Sequence, residues 1–225
     1  MLTHEENYLT PNEIEHLIQT LKEITCNSYK VKPIDIEACA RIQYGCGLRI
    51  SEVLSLTPED FDLDNLTLTL NHTKTGFKKC RCAKYENRKL VSIDSDCKKC
   101  KGLGKIRKPQ FTTILASDVS FFREYLKTKR KNTRMFDFGR LSVWNYYKKA
   151  GNLAGLHVRE QQDEKTIEGI WTHLLRKCRA KLMTKLGASE VLIKLKLRHN
   201  FTTTERYTKP DLQYLKMWEQ ENLKN

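Results

Sequence analysis

The sequence predicts an α+β fold that is mainly helical, with one small antiparallel sheet near its front and a basic insertion within that sheet. Three observations predict it. Apolar residues recur at helical spacing through most of the chain. Leu66-Thr67-Leu68-Thr69-Leu70 alternates strictly, which is the pattern of a half-buried strand. Residues 78–108, which follow, hold twelve Lys or Arg (78, 79, 81, 84, 88, 89, 98, 99, 101, 105, 107, 108) against three acids (86, 94, 96), a composition unlike the rest.

In chain order, Thr10-Pro11-Asn12-Glu13 reads as a helix start, with a capping threonine, a proline at the first helical position and a glutamate completing a capping box. Ile14, Leu17, Ile18 and Leu21 follow at helical spacing, so residues 11–25 form an amphipathic helix. A second helix is expected from Pro33 to Tyr44, interrupted by Gly45 and Gly47, and a third at about 49–56. Strand-like sequence resumes at Phe111 to Leu115, and helical patterns cover 117–129, 140–150, 170–187, 189–197 and 211–223. No internal repeat or long linker divides the 225 residues, which suffice for one core with a small appendage.

The net charge is +14, from 41 Lys and Arg against 27 Asp and Glu, and such a surface attracts polyanions, of which nucleic acid is the commonest. No apolar run approaches the ~18–20 residues that span a bilayer, and Met-Leu-Thr-His-Glu-Glu is not a secretory signal. The chain is therefore expected to be soluble and cytoplasmic, without a membrane partner. Cys26, Cys39, Cys46 and Cys178 are scattered in helix-like segments and are expected as buried thiols.

Three short boxes carry chemistry: G-C-G-L-R-I-S-E-V-L-S-L at 45–56, T-H-L-L-R at 172–176 and L-R-H-N-F-T-T-T-E-R-Y-T at 197–208. Arg49 and Arg176 are suited to a phosphodiester, because guanidiniums stay charged and fork two hydrogen bonds onto the oxygens that gain charge in its displacement. His173 and Arg176, three apart, would share a helix face. His199 could move a proton or donate to a phosphate oxygen near neutral pH. Taken singly, Arg49 with Glu52 reads as a surface ion pair, His173 as a core histidine and Tyr207 as an ordinary tyrosine. Their joint occurrence in this order is what points to catalysis.

In that order the boxes resemble the signature boxes of the tyrosine recombinase or phage integrase family. Tyr8 to Leu21 is similar to the opening helix of that family's catalytic domain, Leu54 to Leu70 to its first strand entry, and Met135 to Leu156 to the helix before the second box. The likeness covers nearly the whole chain outside 78–108. It implies a recombinase catalytic-domain fold, double-stranded DNA as partner, and Tyr207 as the nucleophile that forms a 3′-phosphotyrosyl bond and frees a 5′-hydroxyl. A phenol of pKa near ~10 needs a base and cations around it for that role. The bond keeps the energy of the one broken, so neither ATP nor a catalytic metal is implied. Lys74, in T-K-T-G, best matches the family's hairpin lysine that protonates the leaving 5′-oxygen, with Lys78 or Lys79 as fallback. The family also implies four protomers acting together, and residues 211–223 are candidates for the link, or else for packing on their own core. Its N-terminal clamping domain has no counterpart, because the pattern starts near residue 8; either the chain belongs to a longer protein or the insertion partly substitutes. Two departures stand out: Leu197-Arg198-His199 replaces the usual Leu-Gly-His, and the spacing from His199 to Tyr207 is one residue shorter.

Within the insertion, Cys80-x-Cys82 and Cys97-x-x-Cys100 have the composition of a four-thiolate zinc site. C-K-K-C-K-G-L-G resembles a zinc knuckle, whose small residues let backbone amides turn toward sulfur. So small and polar a segment cannot bury a core, and a structural zinc would supply its folding energy. Its cations would then meet phosphates beside the cut. The readings set against recombination are relaxation of supercoils by a type IB topoisomerase-like activity and a zinc-containing DNA-binding protein that does not cleave.

Overall fold

The structure is a computed structural model that describes residues 2–3, 8–26, 31–71, 77–86, 89–100, 103–107, 109–162, 165–199 and 211–223. Eight α-helices are described: α1 (Pro11–Glu23), α2 (Pro33–Gly45), α3 (Ile50–Val53), α4 (Val119–Lys127), α5 (Arg140–Leu153), α6 (Leu174–Lys185), α7 (Glu190–Leu197) and α8 (Leu212–Asn222). None of the described helices is long and apolar enough to cross a membrane.

The capping box opens α1 as its sequence predicts: the Glu13 amide donates to Thr10, and the Glu13 carboxylate accepts from the Thr10 amide at 2.8 Å. Its buried face is Ile14, Leu17, Ile18 and Leu21, each burial contributing roughly 1.5–3 kcal/mol. That face packs on α2, which also meets α5 and α6. Ile36, Ala38, Cys39, Ala40 and Ile42 of α2 are fully buried, so α2 is the axis of the core. Cys39, Cys46 and Cys178 are buried and Cys26 half-buried.

The sheet that carries the alternating strand has the order β2 (Phe61–Asp62), β3 (Thr67–Leu70), β8 (Gln110–Thr113), antiparallel throughout. Between β3 and β8 the chain leaves as β4 (Phe77–Lys79) and returns as β7 (Lys105–Arg107), which pair with Phe77 opposite Arg107. Beyond that ladder, β5 (Ala83–Glu86) and β6 (Lys89–Ile93) form a hairpin. Two pairings were not foreseen: β1 (Leu2–Thr3) lies parallel to β9 (Leu156–His157), and β10 (Arg159–Gln162) pairs antiparallel with β11 (Lys165–Glu168).

The helix expected at 117–129 is Val119–Lys127 and that at 140–150 is Arg140–Leu153, and three further boundaries differ for identifiable reasons. The third helix is only Ile50–Val53, not 49–56, because Leu54 and Ser55 turn and Pro58 then pushes Thr57 to extended backbone. Gly45 is the last residue of α2 and not a break; the chain turns at Gly47, whose φ of 63° suits glycine. The helix expected at 170–187 starts at Leu174, since Gly169 sits at φ 91° and the Thr172 carbonyl accepts from Gln43 of α2.

The C-terminal helix α8 packs on its own chain, against α7 and β8. Leu215 joins Met183, Leu192 and Leu195 in a small second core. Beside it lies a fully buried ion pair, Lys196 Nζ to Glu219 Oε1 at 2.7 Å, with Thr113 bonded to both partners. Breaking such a pair leaves one buried charge unbalanced. Lys196→Met is therefore expected to cost about 3–5 kcal/mol in urea denaturation, and Lys196→Met with Glu219→Leu to recover most of it.

Candidate active site and metal centre

The first and third boxes meet where the segment after α2 lies against the end of α7. Gly47 is required there, because a Cβ would come within 2.9 Å of Leu197 Cδ2 in addition to the positive φ. Thr112 of β8 ties the two segments together by donating to the carbonyls of Cys46 (3.2 Å) and Lys196 (3.3 Å). The second box enters through α6, which passes alongside α2 and points Arg176 and Arg179 at its C-terminal end. Arg179 Nε donates to Tyr44 O at 2.9 Å, and Arg176 Nη1 to Gly47 O. Guanidiniums are well placed there, where helix carbonyls lack partners and the dipole is negative.

At the centre lies Glu52, 2% exposed. Its carboxylate accepts from the Arg49 amide (2.8 Å), Arg49 Nη1 (3.1 Å) and Arg198 Nη2 (2.8 Å), with Arg176 Nη1 at 4.0 Å. Burial alone would raise this carboxyl, but Arg198, the Arg49 amide and the Arg49 and Arg176 charges outweigh it and hold it below its usual range. Arg176 is 2% exposed; burial, then Arg198 and Arg49, bring its pKa down to about 9, so it stays charged at neutral pH. Three guanidiniums share one carboxylate, and the site carries excess positive charge.

His199 completes the group. Its Nε2 lies 3.1 Å from Arg176 Nη2. A guanidinium only donates, so Nε2 presents its lone pair and the neutral ring carries its proton on Nδ1. Partial burial, followed by Arg176, Arg49, Arg198 and His173, lowers its pKa. His173 is exposed and stands at the N-cap of α6, one turn before Arg176. Arg49, Arg176 and His199 are thus brought together, with His173 near enough to act on His199 electrostatically. Lys74 and Tyr207 lie outside the described residues, and of Lys78 and Lys79 only the backbone is described.

Two members of the cluster had no role in the sequence reading. Glu52 was visible only as a possible ion-pair partner of Arg49, and Arg198 only as a departure from Leu-Gly-His. The coordinates explain the usual glycine: Arg198 ends α7 at φ 55°, ψ 40°, a left-handed conformation that costs a non-glycine residue roughly 1–2 kcal/mol.

The four clustered cysteines also converge. Their Sγ atoms lie within 4.8 Å of one another, with Cys80 to Cys97 at 3.7 Å and Cys82 to Cys100 at 3.4 Å. Tetrahedral zinc with ~2.3 Å bonds would separate its sulfurs by roughly 3.8 Å, so the set fits that ion closely. Backbone amides of Cys100 and Lys99 and the neighbouring Cys82 thiol bring Cys97 down to about 7, while desolvation and the neighbouring thiols push Cys82 up. A thiolate next to backbone amides is the form that binds a metal. All four ligands are sulfur, so a bound zinc would have no open position for water and its role would be structural.

The chain is also similar to known proteins in sequence and in fold. The sequence model of the phage integrase family matches residues 7–213. The tyrosine recombinase XerA of Saccharolobus solfataricus is 25% identical over 169 residues, which are 75% of this chain but 43% of that protein, so the chain spans less than half its relative's length. Among solved structures, the XerA recombinase superposes with a TM-score of 0.56 at 15% identity, covering all of this chain and 68% of that one. The XerH site-specific recombinase, in a post-cleavage complex with its palindromic difH substrate, gives 0.56 at 20% identity over 94% of this chain and 51% of that one. The integrase of mycobacterium phage Brujita gives 0.55 at 16% identity, over 98% and 60%. These likenesses establish the fold.

The His199 environment predicts its titration. In the folded chain the midpoint, read from its ring resonances by NMR, is expected below 6.5. Because the folded value is the lower, the unfolded chain takes up this proton first as the pH falls. The stability held by the neutral ring is present above about 6.5 and is lost as the pH drops through the folded value. A midpoint at or above 6.5 would contradict this electrostatic picture.

Proposed function

Because the chain belongs to the phage integrase family, we propose that it is a site-specific recombinase that cuts and rejoins double-stranded DNA through Tyr207. The observation that carries this reading is the convergence of Arg49, Arg176 and His199 on one positively charged site, the first more than a hundred residues before the other two. A phosphodiester placed there would have its non-bridging oxygens met by Arg49 and Arg176, where charge accumulates in the transition state. His173 and His199 would donate to the phosphate or move protons.

In the proposed step, the Tyr207 phenolic oxygen attacks phosphorus and forms the 3′-phosphotyrosyl bond while the bond to the 5′-oxygen breaks. The phenolic proton passes to a neutral imidazole, with His173 the candidate because the His199 Nε2 lone pair already accepts from Arg176. The departing 5′-oxygen takes a proton from Lys74. Attack by a 5′-hydroxyl of a second duplex reverses the sequence and rejoins the strands without ATP. Tyr207 follows His199 by eight residues, a span of at most about 28 Å when extended. That reach serves delivery within one protomer or into a neighbour's site. The family resemblance implies four protomers on paired duplexes; α8 keeps Tyr214 and Met217 exposed while its other face packs on its own chain.

Residues 78–108 form, on this reading, a zinc-stabilised module that extends the Lys74 hairpin and holds DNA beside the cut. Cys80, Cys82, Cys97 and Cys100 are the ligands, and the lysines and arginines around them meet phosphates. Purified protein is expected to carry about one zinc per chain, as four converging thiolates require. Chelation is expected to weaken DNA binding. Zinc-free protein that binds DNA with unchanged affinity would remove the module from the reading.

Strand cleavage is tested with a nicked suicide duplex that traps the covalent intermediate. Wild-type protein is expected to give a denaturation-resistant DNA adduct and Tyr207→Phe none, with binding retained. An adduct that persists in Tyr207→Phe would assign the nucleophile elsewhere. Relaxation of plasmid by the monomer would favour topoisomerase-like action, and binding with no adduct in either protein would leave a DNA-binding role alone.

A further inference from the structure

We propose that Arg198 is a positioning residue for this site: its buried guanidinium neutralises and fixes Glu52, leaving Arg49 and Arg176 with charge to spare for a phosphate. The inference rests on the proposed function for its chemistry and on the coordinates for its geometry.

The position itself asks only for a turn. Arg198 ends α7 in the left-handed conformation, where glycine is the usual residue. The turn is made by backbone alone, with the Arg198 amide donating to Leu195 O at 3.1 Å and the His199 amide to Lys194 O at 2.9 Å. A side chain is therefore unnecessary for presenting His199, and an arginine is disfavoured by its backbone angles. Its guanidinium is nonetheless committed: Nη2 lies 2.8 Å from Glu52 Oε2, and Nη1 lies 3.1 Å from Lys196 O. The residue is 8% exposed, so solvent does little to screen the pair.

The charges explain what this accomplishes. Glu52 is held at both oxygens, by Arg49 on Oε1 and by Arg198 on Oε2, with Arg176 further off at 4.0 Å. One carboxylate balances one guanidinium. With Arg198 in that role, two positive charges remain for an oxyanion. With glycine at 198, the carboxylate would draw on Arg49 and Arg176 themselves and repel the incoming phosphate. Arg198 acts through Glu52 and need not touch DNA.

Two measurements test this separately from the reaction class. The first uses inorganic sulfate as an oxyanion probe, titrated against the His199 ring resonances. Arg198→Gly, which relieves the backbone, is expected to weaken sulfate about tenfold, and Arg198→Met with Glu52→Gln to recover most of it, since the charge to be balanced is gone. The second is single-turnover adduct formation on the nicked duplex. There Arg198→Gly is expected to be slowed by about tenfold to a hundredfold, with DNA affinity little changed. Sulfate affinity equal to wild type in Arg198→Gly, or no recovery in the double variant, would reduce Arg198 to a helix cap and overturn the proposal. If wild type forms no adduct while sulfate binding still depends on Arg198, the strand-transfer reading fails and the positioning role stands.

Discussion

One buried carboxylate organises this molecule. Glu52 lies in α3 and takes its donors from Arg49 at the start of that helix and from Arg198 at the end of α7. A buried anion is costly unless it is paired and hydrogen-bonded. Glu52 meets that requirement with guanidiniums contributed from positions 49 and 198, with a third at 176 nearby. The same requirement explains why a cluster of like charges is tolerated: each arginine repels the others, and the shared carboxylate and the carbonyls of Gly47, Leu197 and Lys196 offset that repulsion. A surface made positive in this way, with its guanidiniums held by hydrogen bonds, is suited to a phosphate whose charge grows during reaction.

The scaffold around it is built to keep these donors still. The axis of the core, α2, delivers its C-terminal Tyr44 carbonyl to Arg179, the Gly47 carbonyl just beyond it meets Arg176, and glycine at 47 lets the chain pass close to Leu197. On the other side, Thr112 and Thr113 of β8 bond to the segments carrying the site and to the Lys196–Glu219 pair, so the sheet, α7 and α8 are linked by polar contacts in a buried layer. The cysteine cluster is organised differently. It stands beyond the β4–β7 ladder, in a stretch where Cys80 and Cys100 are the buried apolar residues among the described side chains, so converging sulfurs take the place that packed side chains hold elsewhere.

Legibility from sequence followed the physical origin of each feature. Helices whose signal is local were visible: the capping box and the 14, 17, 18, 21 spacing defined α1, and the alternation at 66–70 located β3. The β10–β11 hairpin was not, because Arg-Glu-Gln-Gln and Lys-Thr-Ile-Glu have neither alternation nor strong strand propensity, and only pairing makes them strands. The start of α6 was placed four residues early because helical periodicity does not reveal that Gln43, over a hundred residues away, bonds to Thr172. In the site, the order of the boxes was readable. The role of Arg198 was not, since in sequence it registers only as a missing glycine.

The sequence by itself determined the helical spacing, the excess of positive charge, the identity of the reactive groups and the pairing of four cysteines in two short motifs. These are properties of neighbours along the chain, and they survive without a fold. Tertiary structure alone decided which charge balances which: that Glu52 faces three arginines, that His199 keeps its proton on Nδ1 because Arg176 meets Nε2, and that α8 closes over Lys196 on its own chain. The reason is that electrostatic energy depends on separation and burial in space, and residues 49, 52, 176, 198 and 199 acquire theirs only when segments more than a hundred residues apart are packed together.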